Sequence, residues 1–129
     1  MNYFAKIIAN DLEGLQMISA CSSAAKVKIS DIKYLASNKV FLLSIQRIKV
    51  ENENDDKKVY SILRFDFVDK VRSKNIDQSN QEEVLELVGI DYLKNNDVYE
   101  INLIFNNNSH IALSTETIEA RLEDQSEIK

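Results

Sequence analysis

The sequence predicts an α+β fold, strand-rich and antiparallel, with a helix near each end of the chain. Three observations lead there. Between Val27 and Leu113 apolar residues recur mainly at every second position, as in Leu63, Phe65, Phe67 and in Tyr99, Ile101, Leu103, Phe105, which is the period of a strand with one face on a core. Short segments rich in Asn, Asp and Ser separate these stretches, as hairpin turns do. Only around Leu12, Leu15 and Ile18, and again at Ile118 and Leu122, does the spacing lengthen to three and four residues, the spacing of a helix face.

The elements follow in order. Tyr3 to Ala9 reads as a first strand. Asn10, with Glu13 three residues on, has the pattern of a capping box and opens a helix that runs to about Ser22. Val27, Ile29, Ile32 and Tyr34 form a strand whose phase slips near Ser30-Asp31, as a bulge would make it do. Ala36 to Lys39 is a turn, and Val40 to Val50 a long strand, apolar on both faces in its first half. Glu51 to Lys58 is a charged loop, and Val59 to Val68 the next strand. Asp69 to Lys74 continues it after a bend or forms a strand of its own, and Asn75 to Asn80 is a loop. Asn80 and Glu83 repeat the capping-box pattern and open a short helix through Val84, Leu85 and Leu87. Ile90 to Leu93, Tyr99 to Phe105 and His110 to Leu113 are strands joined by the turns Lys94–Asp97 and Asn106–Ser109. Ser114 or Thr115 then caps a closing helix that carries Ile118 and Leu122, and the tail from about 125 to 129 frays.

A meander of about seven strands must protect its edges, by closing or by being covered. The expected architecture is therefore a pleckstrin-homology-like barrel plugged at one end by the C-terminal helix, or an open sheet covered by two helices. All 129 residues form one domain, a size at which a core is sufficient without disulfides or metal.

Composition narrows the function classes. The net charge is −5 and the bases are interleaved with acids, so the dense Lys/Arg that rewards phosphate backbones with counterion release is missing. Neither nucleic acid nor a membrane surface is expected as a partner. One cysteine, Cys21, precludes an internal disulfide and fits a reducing compartment. The Met1–Lys6 stretch lacks the features of a signal peptide, and no apolar run approaches the length of a bilayer span, so a cytoplasmic setting is expected. Two glycines and no proline exclude glycine-rich phosphate loops and leave the turns to Asn and Asp.

No catalytic kit emerges, and no cofactor is implied. His110 is the only histidine and stands beside a hairpin turn, where a solvated imidazole is ordinary. Cys21 lies at a helix C-terminus, where the dipole disfavours a thiolate. Glu51, Glu53, Asp55 and Asp56 lack the central glycine of a calcium loop, and one Cys with one His gives no zinc pattern. Arg47, Arg64, Arg72 and Lys74 remain. On adjacent strands they would form a cluster able to receive an anionic group, unless each pairs with a carboxylate such as Asp66, Asp69 or Asp77.

Several blocks carry a resemblance. Val27-Lys28-Ile29-Ser30-Asp31-Ile32-Lys33-Tyr34-Leu35, Val71-Arg72-Ser73 with Ile76-Asp77, Ile111 to Leu113, and Ile118-Glu119-Ala120-Arg121-Leu122-Glu123-Asp124 resemble, in order and approximate spacing, an alphaproteobacterial family of short proteins, domain of unknown function 2948. The similarity covers nearly the whole chain. Where those relatives favour Ala, Arg, Gly and Pro, this chain has Lys, Asn and Ile. The resemblance implies a bacterial cytoplasmic protein and carries no activity, cofactor or catalytic residue with it. The leading expectation is a non-catalytic protein-interaction or adaptor module, alone or as a homo-oligomer. The alternative is a small anionic-ligand binding protein using the arginines.

Overall fold

The computed structural model describes residues 4–48 and 58–128. It is an antiparallel, strand-rich structure with one α-helix. The strands are β1 (Lys6–Ala9), β2 (Lys26–Lys28), β3 (Ile32–Leu35), β4 (Val40–Ile48), β5 (Lys58–Phe65), β6 (Val68–Lys74), β7 (Val84–Asn95), β8 (Val98–Phe105), β9 (His110–Thr115) and β10 (Ala120–Glu127). They form one sheet in the order β1-β10-β5-β4-β2-β7-β8-β9-β6, and β3 pairs beside β4. The charged loop expected from Glu51 lies, up to Lys57, outside the described residues.

The helix α1 (Leu12–Ser22) starts one residue later than the capping pattern at Asn10 suggests: Asp11 is the N-cap, and its Oδ1 accepts the Gly14 N–H at 2.7 Å. Leu15 and Ile18 are buried on the face that packs against β1, β4, β7 and β10. Gly14 makes that packing possible. A Cβ there would stand 2.9 Å from the Ala9 Cα, so only glycine lets α1 approach the β1 backbone this closely.

The turns use asparagine where many proteins use glycine. Asn75, Asn96, Asn107 and Asn108 all adopt positive φ, and neither glycine does. Ala24, Lys39 and Phe67 share that conformation without the side chain that eases it.

Two expected helices are strands. Val84 to Leu87 begins β7: Leu85 and Leu87 are buried while Val84, Glu86 and Val88 are exposed, an alternation of two that β2 and β8 complete by pairing. The expected closing helix is β10, in which Ala120, Leu122 and Asp124 point inward and Arg121 and Glu123 are half-buried on the other face. β10 pairs with both β1 and β5. Tertiary pairing on both sides outweighs the helical spacing of Ile118 and Leu122. No C-terminal helix plugs the sheet, the sheet is open, and the pleckstrin-homology-like plan is not supported. Pairing continues to Glu127, opposite Val59, past the point where the sequence suggests fraying.

The phase slip near Ser30-Asp31 is a 3-10 turn, Ile29–Asp31, and it has a structural consequence. β2 holds both β4 and β7, but beyond the turn β3 follows β4 alone. The sheet meanwhile curls. β5 and β6 are separated only by Asp66-Phe67, yet β6 lies at the far end of the strand order. The curl brings β6 back against the β3–β4 connection, where the Val68 N–H donates to Lys39 O at 2.8 Å and Tyr34 Oη donates to Val68 O at 2.8 Å. The inner face of the curl is the core, with Leu43, Ile45, Leu63, Phe65, Leu87 and Leu103 fully buried.

Gly14→Val tests the close approach of helix and strand. It is expected to cost roughly 1–3 kcal/mol through overpacking, measured by denaturant unfolding. Unchanged stability would contradict the contact.

Candidate functional site

The arginines of interest do not gather into one site. Arg47, on β4, is 1% exposed and lies in the core. Its Nε donates to Asp124 Oδ1 at 3.0 Å and its Nη2 to Asp124 Oδ2 at 2.9 Å. Ser61 Oγ donates to Oδ1 at 2.6 Å, and the Ala5 N–H to Oδ2 at 2.9 Å. Strands β4, β5 and β10 and the segment before β1 thus meet on one carboxylate. Arg64 lies on the outer face, its Nε and Nη2 at 3.1 and 2.9 Å from Asp66 Oδ1, while Arg121 reaches the other oxygen at 3.9 Å. Arg72, on β6, pairs with Glu100 of β8. Lys74 is exposed at the end of β6.

Burial alone would raise the Asp124 pKa. The hydrogen bonds from Arg47, Ser61 and the Ala5 N–H, with the Arg47 charge, outweigh it and hold the carboxyl below its ordinary value. A depressed folded-state pKa contributes stability above the unfolded value, about 3.9 for Asp. That contribution is lost as pH falls through the folded value.

His110 and Cys21 lie on different elements, β9 and α1. His110 opens β9, half-buried beside a shallow concavity that includes Asp91 and Asn102. Cys21 sits in the last turn of α1, packed against the core, and its carbonyl lies 3.5 Å from Arg47 Nη1. Among the described residues no group of three or more His, Cys, Asp or Glu side chains is placed to hold a metal ion.

The concave feature that combines apolar lining with open backbone is the gap left where β3 parts from β7 and β6 curls back. It is a cavity of about 250 Å³ between Ile32 and Tyr34 of β3, Val71 and Ser73 of β6, Ile76, and Ile111 of β9. Among the described residues β3 pairs only with β4, and β6 only with β9. Each therefore turns one row of backbone N–H and C=O groups away from its partner strand. A larger concavity of about 450 Å³ lies on the outer face around Lys26, Lys28 and Tyr60, where β4, β5 and β7 all have both neighbours and offer no open edge.

Sequence reasoning misses this gap entirely. Ile32, Tyr34 and Val71 read as ordinary strand residues, and nothing local announces that β3 and β6 face one another. The one signal available is the phase slip at Ser30-Asp31, which marks where β3 leaves its neighbour.

Residues 5–129 match the model of a family described as protein of unknown function, DUF2948, and the chain belongs to that family. Neither the curated proteins nor the solved structures contain a significant match.

The buried pair yields a stability prediction. Asp124→Ala or Arg47→Ala leaves an uncompensated buried charge and is expected to cost about 3–5 kcal/mol. The double replacement Arg47→Met with Asp124→Leu is expected to cost far less than the two single losses added together. Denaturant melts from pH 7 downward are expected to show stability falling below about pH 4. In Asp124→Asn that component of the fall is absent.

Proposed function

We propose that this member of the family is a non-catalytic protein-interaction module of the alphaproteobacterial cytoplasm, and that it docks an extended segment of a partner at the gap between β3 and β6. The observation that carries the reading is the pairing of two features in one place: a cavity of about 250 Å³ whose mixed lining sets Ile32, Tyr34, Val71 and Ile76 beside Ser73, Gln78 and Gln81, and an edge of β6 that no described strand pairs. Strand addition uses both, the edge for main-chain hydrogen bonds and the cavity for alternate side chains. The single cysteine and the resemblance of several sequence blocks to short alphaproteobacterial proteins support the setting.

The groups whose pKa is clearly displaced are held by structural contacts. Clear pKa shifts fall on Lys39, raised by its hydrogen bond and attraction to Asp69, on Asp77, lowered by hydrogen bonds from Ser79, and on Asp124. Each has a structural partner, and none lines the gap. The alternative, an anionic ligand received by Arg47, Arg64, Arg72 and Lys74, has less support: a ligand would have to displace Asp124, Asp66 and Glu100 from the three arginines.

Native affinity capture from extract, followed by cross-link mapping, tests the reading. A protein recovered in stoichiometric amount, with cross-links at β6 or β3, is expected. Recovery of no protein under any growth condition, with a strictly monomeric chain in sedimentation at several concentrations, would contradict it.

A further inference from the structure

The chemistry of the β6 edge says what kind of segment it admits. Val71 and Ser73 line the cavity, so by strand alternation Lys70, Arg72 and Lys74 project from the opposite face. On β3, Ile32 and Tyr34 line the same cavity, and Lys33 faces the other way. Arg72 is engaged by Glu100, and the one acid on β6, Asp69, is held by Lys39 at 2.9 Å. Among the described residues Lys33, Lys70 and Lys74 have no ion-pair partner. Asp31 turns toward the separate concavity around Lys26 and Lys28. In a chain of net charge −5, this edge therefore presents a local excess of positive charge on one face and, on the other, an uncharged hollow lined by Ile32, Tyr34, Val71 and Ile76 together with Ser73, Gln78 and Gln81.

We infer that β6 accepts an extended segment of a partner protein in which apolar residues alternate with Asp or Glu. This rests on the interaction-module reading and adds the partner's chemistry. The apolar side chains enter the cavity against Val71, Ile76, Ile32 and Tyr34. The acidic ones lie on the outer face beside Lys70 and Lys74. Lysines on a free edge ordinarily repel indiscriminate strand pairing. Here the same charges turn repulsion into selection, since a strand with carboxylates in the right phase is attracted while a basic one is excluded. Val68 is already joined to Lys39 O, so pairing is confined to the remainder of β6, roughly four to six residues of the partner.

The test uses the full chain and fluorescently labelled, end-capped peptides. One has the pattern Val-Glu-Ile-Glu-Val-Glu-Val, a second has Lys in place of Glu, and a third holds the same residues with the acids in one block. By fluorescence anisotropy the alternating acidic peptide is expected to bind roughly tenfold or more tightly than either of the others. The exposed pair Lys70→Glu with Lys74→Glu, its fold verified by circular dichroism and melting temperature, is expected to reverse the preference toward the Lys peptide. N-methylation of alternate peptide amides is expected to abolish binding. Equal affinity for the acidic and basic peptides, or a preference unchanged by the charge reversal, would overturn the inference. Failure of all three peptides, with a captured partner cross-linked to another surface, overturns the inference and leaves the interaction module standing. Failure of all three with no captured partner overturns both.

Discussion

The structure turns on a charge pair that has no access to solvent. Arg47 and Asp124 are separated by 77 positions in the chain, yet both side chains are fully buried and meet through two hydrogen bonds. Desolvating two ions costs several kcal/mol each, and a buried pair is weak evidence of added stability. Its effect is on arrangement. The carboxylate of Asp124 accepts from Arg47, Ser61 and the Ala5 N–H, so sliding β10 against β5 strands a charge in the core, and detaching the chain before β1 removes one of the donors that the buried carboxylate uses. A one-residue slip of β10 would turn Asp124 outward and bring Glu123 or Gln125 inward. The pair thus specifies the register of β10, and the bulge between Asp124 and Ser126 follows directly after it.

With β10 fixed between β1 and β5, the rest of the sheet has one route. β4 and β5 run their full lengths together, β2 bridges to β7, and the 3-10 turn at Ile29–Asp31 lets β3 part from that path. The curl then returns β6 to the β3–β4 connection. The gap between the strands is a consequence of incomplete closure: the sheet bends far enough to bury its inner face but ends with two edges that do not pair with each other. Lysines on an open edge disfavour indiscriminate strand pairing, and in the proposed docking the same charges select the partner segment.

Much of this was legible in the sequence, and what was not has physical causes. β4, β5 and β8 follow from their runs of apolar residues, and the asparagine turns follow from the near absence of glycine. β10 was obscured because its inward positions include Asp124, so a polar residue stands where alternation calls for an apolar one, and Ile118 with Leu122 mimics a helical step. Val84 to Leu87 was obscured by Asn80 and Glu83, which imitate a cap but sit in a turn. Arg47 reads from sequence as one of a cluster with Arg64, Arg72 and Lys74, because its partner lies on a distant strand and burial of a charge depends on that partner. The gap at β6 depends on the curl of the whole sheet, which no local pattern encodes.

The most direct test of the central constraint is the hydrogen exchange of the Arg47 Hε proton by NMR. Buried and donated to Asp124, it should give a resolved resonance that exchanges slowly with water at neutral pH. An Arg47 Hε that exchanges as fast as those of the exposed arginines would show that the guanidinium is not enclosed, and the register of β10 would need another explanation.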